Sequence, residues 1–112
     1  MRQVNDNIIP VQTAATITTG AIDSRNLFAC SVQAAATGAA GGTLALQASN
    51  DITGQDGFPG VPSNWSQIAT VSITGSGAFL IPKTDLCYQQ LRLVYTNSGS
   101  GTISVVFKAL GA

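Results

Sequence analysis

The stretch Leu91-Arg92-Leu93-Val94-Tyr95-Thr96-Asn97-Ser98-Gly99-Ser100-Gly101-Thr102-Ile103-Ser104-Val105-Val106-Phe107-Lys108-Ala109 decides the fold class. Before its centre, Leu91, Leu93 and Tyr95 fall on one side of a two-residue period, opposite Arg92, Val94 and Thr96. After it, Ile103, Val105 and Phe107 alternate with Ser104, Val106 and Lys108. Successive side chains of an extended strand point to opposite faces, so this period marks strands with one buried side. Asn97 to Gly101 between them is built from residues that favour tight turns. The pattern predicts two antiparallel strands joined as a hairpin.

The same period recurs upstream. Leu44, Leu46 and Ala48 share the buried side of a strand over Thr43 to Ala48, and Ala69, Val71 and Ile73 continue another after Trp65. Thr74-Gly75-Ser76-Gly77 predicts a hairpin turn into Ala78-Phe79-Leu80-Ile81, and Pro82 to Asp85 a further turn. Over Leu27 to Ala34, the pattern places Phe28, Cys30, Val32 and Ala34 on one face. The alanines of 35–42 suggest a helix, but Gly38, Gly41 and Gly42 within eight residues favour a loop. Ala15 to Thr19 also alternates. Ile8-Ile9-Pro10-Val11-Gln12 reads as extended, with Pro10 restricting it to a sheet edge or an arm. Ser49 to Asn64 carries Gly54, Gly57, Pro59, Gly60 and Pro62, and loops of that length are usually functional or interaction elements. Seven to eight short antiparallel strands in one all-β domain predict a β-sandwich or jelly roll over residues 13–112, preceded by an extended N-terminal arm over 1–12. Removing residues 1–10 is then expected to leave the domain folded.

Composition bounds the function. Charged residues are 9% of the 112, where roughly 25% is usual for a soluble domain, and the formal net charge is zero. Ser, Thr, Asn and Gln must supply the polar surface, which suits a protein that packs against other proteins. A Ser/Thr-rich secreted β-domain has a similar composition. No basic excess is present to neutralise phosphates, so nucleic acid is not an expected partner. No apolar run reaches the ~20 residues that span a bilayer, so no membrane role is expected. The polar start Met1-Arg2-Gln3-Val4-Asn5-Asp6-Asn7 does not resemble a signal peptide, which points to a reducing cytosol and to free, buried thiols at Cys30 and Cys87.

Candidates for chemistry are few. With no histidine, neither a Ser-His-Asp triad nor a Cys-His pair is available. The five acidic residues are all aspartates (Asp6, Asp23, Asp51, Asp56 and Asp85), and all are expected in turns as backbone caps. Asn50, Asp51 and Asp56 bring oxygen ligands into one loop, but without the calcium-loop spacing or a glutamate. No cofactor and no catalytic residue are expected. Trp65, with Phe58 a few residues earlier, is either an exposed aromatic platform or a plug that packs the long loop onto the sandwich. Arg92, opposite the apolar stripe, is expected to pair with an aspartate on a neighbouring strand or across a subunit contact.

Three segments carry a resemblance: Leu46-Gln47-Ala48-Ser49-Asn50-Asp51, Pro62-Ser63-Asn64-Trp65-Ser66-Gln67-Ile68, and Cys87 to Thr96 followed by Gly101-Thr102-Ile103-Ser104-Val105. Together they resemble small accessory virion proteins of tailed bacteriophages, over about the last two-thirds of the chain. The Ser-Asn-Asp, Trp and Ile pattern is also similar to discoidin-like sandwiches that bind sugar or lipid, though those are longer and richer in basic and aromatic residues. The phage resemblance implies a capsid decoration or cement protein located in the virion and assembled in the host cytoplasm. It would contact the major capsid protein or other virion proteins, and further copies of itself. A carbohydrate-binding or tail-associated module is the alternative it leaves open. Candidate partner contacts are Ile8, Ile9, Val11, Phe58, Trp65 and Arg92.

Overall fold

In the computed structural model, residues 3–13, 16–51 and 64–111 are described. The strands are β1 (Gln3–Thr13), β2 (Ile17–Thr18), β3 (Ile22–Asp23), β4 (Leu27–Thr37), β5 (Gly41–Ser49), β6 (Ser66–Thr74), β7 (Gly77–Lys83), β8 (Gln90–Asn97) and β9 (Thr102–Gly111). Every strand pairing is antiparallel. A front sheet runs β1-β9-β4-β7 and a back sheet β2-β8-β5-β6, with β3 also on β8. β2 and β3 act as one broken strand: Thr19 between them exchanges backbone and hydroxyl hydrogen bonds with Leu93. Counted so, the two sheets follow the strand order of a jelly roll.

The expected inward residues fill the space between the sheets. Leu44, Leu46, Leu91, Leu93 and Tyr95 come from the back sheet, and Val32, Ile103, Val105 and Phe107 from the front; all are fully buried. Tyr95 donates its hydroxyl to the Gly41 carbonyl, so the phenol enters the core with its polar end satisfied.

Several expectations are corrected. Both predicted hairpins are corners between sheets: β6 and β7 lie in opposite sheets, as do β8 and β9. Residues 35–37 continue β4, with Ala36 buried, so the loop is only a turn before β5. β1, β4 and β9 are not short, at 11, 11 and 10 residues. Phe28 turns outward because a register shift between Leu27 and Ala29 places an extra residue in β4 and reverses its phase. Asp6 lies in β1 and Asp23 in β3 rather than in turns.

Between edge and arm, residues 3–13 take the edge: β1 pairs with β9 from Gln3–Leu110 to Thr13–Thr102, and Ile9 is 1% exposed within the core. Removal of residues 1–10 thus takes most of an edge strand with it.

Two corners lock together at one end. Ser98 and Ser100 donate their amides to the Gly41 and Ala39 carbonyls, and the Thr37 and Thr102 hydroxyls meet. Gly42 stands at φ +129, and a β-carbon there would collide with the Thr96 carbonyl. Gly20 has open space and no positive φ. Gly42→Ala is therefore expected to cost about 1–3 kcal/mol or more, and Gly20→Ala to stay within about 0.5 kcal/mol of wild type. Urea unfolding of the two variants measures both.

Candidate functional site

The outer faces of the two sheets are built differently. On the back sheet, β5 and β8 place Gln47 beside Arg92, and β6 sets Gln67 on the other side of Gln47. Arg92 donates from Nε to Gln47 Oε1 at 2.7 Å and lies 4.4 Å above the Trp65 ring centroid. Its partners within the domain are thus a glutamine and an aromatic ring rather than an aspartate. Trp65 and Arg92, chosen separately from the sequence, meet here, with Trp65 half-buried and one ring face covered. That contact ties the end of the long loop to the outer face of β8.

The front sheet is almost uncharged outside. Register aligns Ala78, Ala35 and Ser104 in one row across β7, β4 and β9, then Leu80, Gln33 and Val106, then Pro82, Ser31 and Lys108. Leu80 is 58% exposed and Val106 39%; Leu110 beyond them and Phe28 at the β4 bulge are also exposed. A shallow depression of about 330 Å³ lies on this face, with Ala29, Ser31, Pro82, Lys108 and Leu110 in its wall. Lys83 at its rim is paired with Asp85 at 3.1 Å. Gln33 stands between Leu80 and Val106 across the sheet and Lys108 between Val106 and Leu110 along β9, so these exposed apolar side chains are spread over a face that is otherwise small or uncharged.

The other candidates fall elsewhere. Ile9 is committed to the domain's own core, Ile8 packs partly against it, and Val11 lies in β1. Phe58, Asp56 and most of the 49–64 loop lie outside the described residues. Asn50 Oδ1 accepts the Gln89 amide, and Asp51 accepts the backbone amide and side chain of Asn64, bracketing the loop. Their oxygens are therefore engaged in protein hydrogen bonds. Among the described residues, no group of three or more His, Cys, Asp or Glu side chains is placed to hold a metal ion.

The outward Leu80, Val106, Leu110 and Phe28 were not among the sequence candidates. Val106 stands in the polar phase between Ser104 and Lys108, which is a readable signal; Phe28 depends on a bulge that alternation does not reveal.

The two cysteines are free. Cys30 is buried as expected, whereas Cys87 is exposed, because it lies between β7 and β8 outside either sheet. Burial pushes the Cys30 thiol up to about 11, with the nearby Lys83 charge partly opposing it. Comparisons with protein-family models, curated proteins and solved structures found no match.

Two outcomes follow. A thiol reagent at neutral pH should modify one cysteine per native chain, Cys87, and both after unfolding. Since the folded Cys30 thiol holds its proton more tightly than the unfolded one, its stabilising contribution is complete below pH 9.0 and lost as pH rises towards about 11. Cys30→Ala should flatten that part of the stability profile. Separately, a double-mutant cycle over Arg92→Ala and Trp65→Ala is expected to return a coupling of about 0.5–1 kcal/mol.

Proposed function

We propose that this chain is a structural accessory protein of a bacteriophage particle, of the capsid decoration or cement kind, which works by docking onto other virion proteins rather than by catalysis. One observation carries the proposal: the outer face of the front sheet exposes Leu80, Val106, Leu110 and Phe28, and Lys108 is the one charged side chain in its aligned rows. Apolar area of this kind gains free energy when another protein covers it. The guarding of the sheet margins supports face-on docking. Pro10 lies in β1 and Pro82 in β7, the two edge strands of that sheet, and proline has no amide to offer an added strand.

The jelly-roll order is compatible with this role, since viral capsid domains share it, but lectin domains do too, and a fold alone does not assign a function. The resemblance in the 46–51, 62–68, 87–96 and 101–105 segments adds the phage setting. The mechanism is mass action: a protein that binds only the assembled shell stabilises the shell. The carbohydrate alternative has less support, because Arg92 occupies one face of the only tryptophan ring.

Leu80→Lys combined with Val106→Lys changes two exposed side chains and should leave circular dichroism and the thermal midpoint close to wild type. Occupancy on particles of the encoding virus, measured by co-sedimentation, should fall about tenfold or more. Wild-type occupancy by this variant, or loss of binding on Trp65→Ala alone, would show that the docking face lies elsewhere.

A further inference from the structure

The two sheets differ in how their edges are protected. In the front sheet, β1 carries Pro10, Asp6 and two register shifts, and β7 ends in Pro82 and Lys83. On the back sheet, the β2/β3 edge is broken into two-residue pieces. β6 is the exception. Its nine residues, Ser66-Gln67-Ile68-Ala69-Thr70-Val71-Ser72-Ile73-Thr74, contain no charge and no proline. Its pairing with β5 is regular from Ala69 to Thr74, and no described strand pairs with its other side. Such a strand presents backbone amides and carbonyls that another strand can bind.

A second, independent feature lies along the same margin. The inward side chains along the first part of β6 are incompletely covered: Ile68, Ala69 and Val71 are only half-buried, as is Phe79 on β7, whereas Ile73 near the strand's end is buried. Among the described residues, the core is thus less fully covered beside Ile68, Ala69 and Val71 than in the middle of the sandwich, where Leu91, Leu93 and Phe107 are sealed.

We infer that β6 pairs with β6 of a second copy of this chain, antiparallel about a two-fold axis, joining the two back sheets into one continuous sheet. The strand suits itself. With no charge over 66–74, the antiparallel copy meets no like charges. Centred on Val71, the pairing sets Val71 against its copy on the inner side and Thr70 against Ser72 on the outer side, both favourable cross-strand combinations. The same approach covers the half-buried row. Because the other described edges are guarded, the contact closes as a dimer and does not propagate. The surface is distinct from the front-sheet face proposed for docking, so a dimer could present two such faces to a shell.

Thr70 and Ser72 are exposed on the outer side. Sedimentation equilibrium of the wild type should show a reversible dimer, and Thr70→Lys with Ser72→Lys should weaken it about tenfold or more by setting lysines against each other. Mixing that variant with Thr70→Asp/Ser72→Asp should restore a one-to-one heterodimer. Hydrogen exchange of wild-type residues 69–74 should slow as protein concentration rises, a readout that requires no variant. A wild type that stays monomeric at every concentration would overturn the inference. So would a folded lysine variant that remains fully dimeric, or a dimer abolished by Leu80→Lys/Val106→Lys but not by the β6 changes. Loss of particle binding with the dimer intact would bear on the docking face alone.

Discussion

Among the described residues, each sheet of this domain covers the inner face of the other, with Ala40 and Leu86 from the connections completing the core, and the chain changes sheet at most of its turns. β3 to β4, β4 to β5, β6 to β7, β7 to β8 and β8 to β9 all cross the sandwich. Neither sheet can form from a contiguous run of sequence, so burial of Tyr95 and Phe107 and closure of the corners are parts of one event. The fold's non-local pairings follow from this and predict slow folding relative to helical domains of similar size. The glycines at the interlocked corners matter for the same reason: Gly42 and Gly101 let backbone meet backbone where two crossings coincide.

The scarcity of charge acquires a location once the sheets are placed. Asp23 with Arg25 and Lys83 with Asp85 form local pairs at strand ends, and Arg92 is spent on Trp65 and Gln47. The front outer face is left with alanine, serine, glutamine, proline and exposed leucine and valine around Lys108. Water solvates such a surface less favourably than a charged one, and cover by another protein is the simplest way to satisfy it. Under the proposed docking role, proline at β1 and β7 would steer that cover onto the face, while β6 would keep an edge for the proposed pairing with its own copy.

Much of this was legible in the residues. The two-residue period sorted Leu44, Leu46, Leu91, Leu93, Tyr95, Ile103, Val105 and Phe107 correctly into the core, because burial of one face is what creates the period. Pro10 correctly limited its segment to an edge or an arm. What alternation cannot encode is which sheet a strand joins: 74–77 and 97–101 have turn chemistry that serves a hairpin and an inter-sheet corner equally. A one-residue bulge likewise reverses phase without a compositional mark, so Phe28 was misplaced. The Trp65–Arg92 contact bridges residues far apart in sequence, and only the β5–β8 register and the loop's return bring them together.

Hydroxyl-radical footprinting of the chain, free and mixed with particles, tests the proposed docking face most directly. The account predicts that Phe28, Leu80 and Leu110 lose reactivity on binding while Trp65 and Tyr88 keep theirs. Protection confined to Trp65, with the front sheet as reactive as in the free protein, would contradict it.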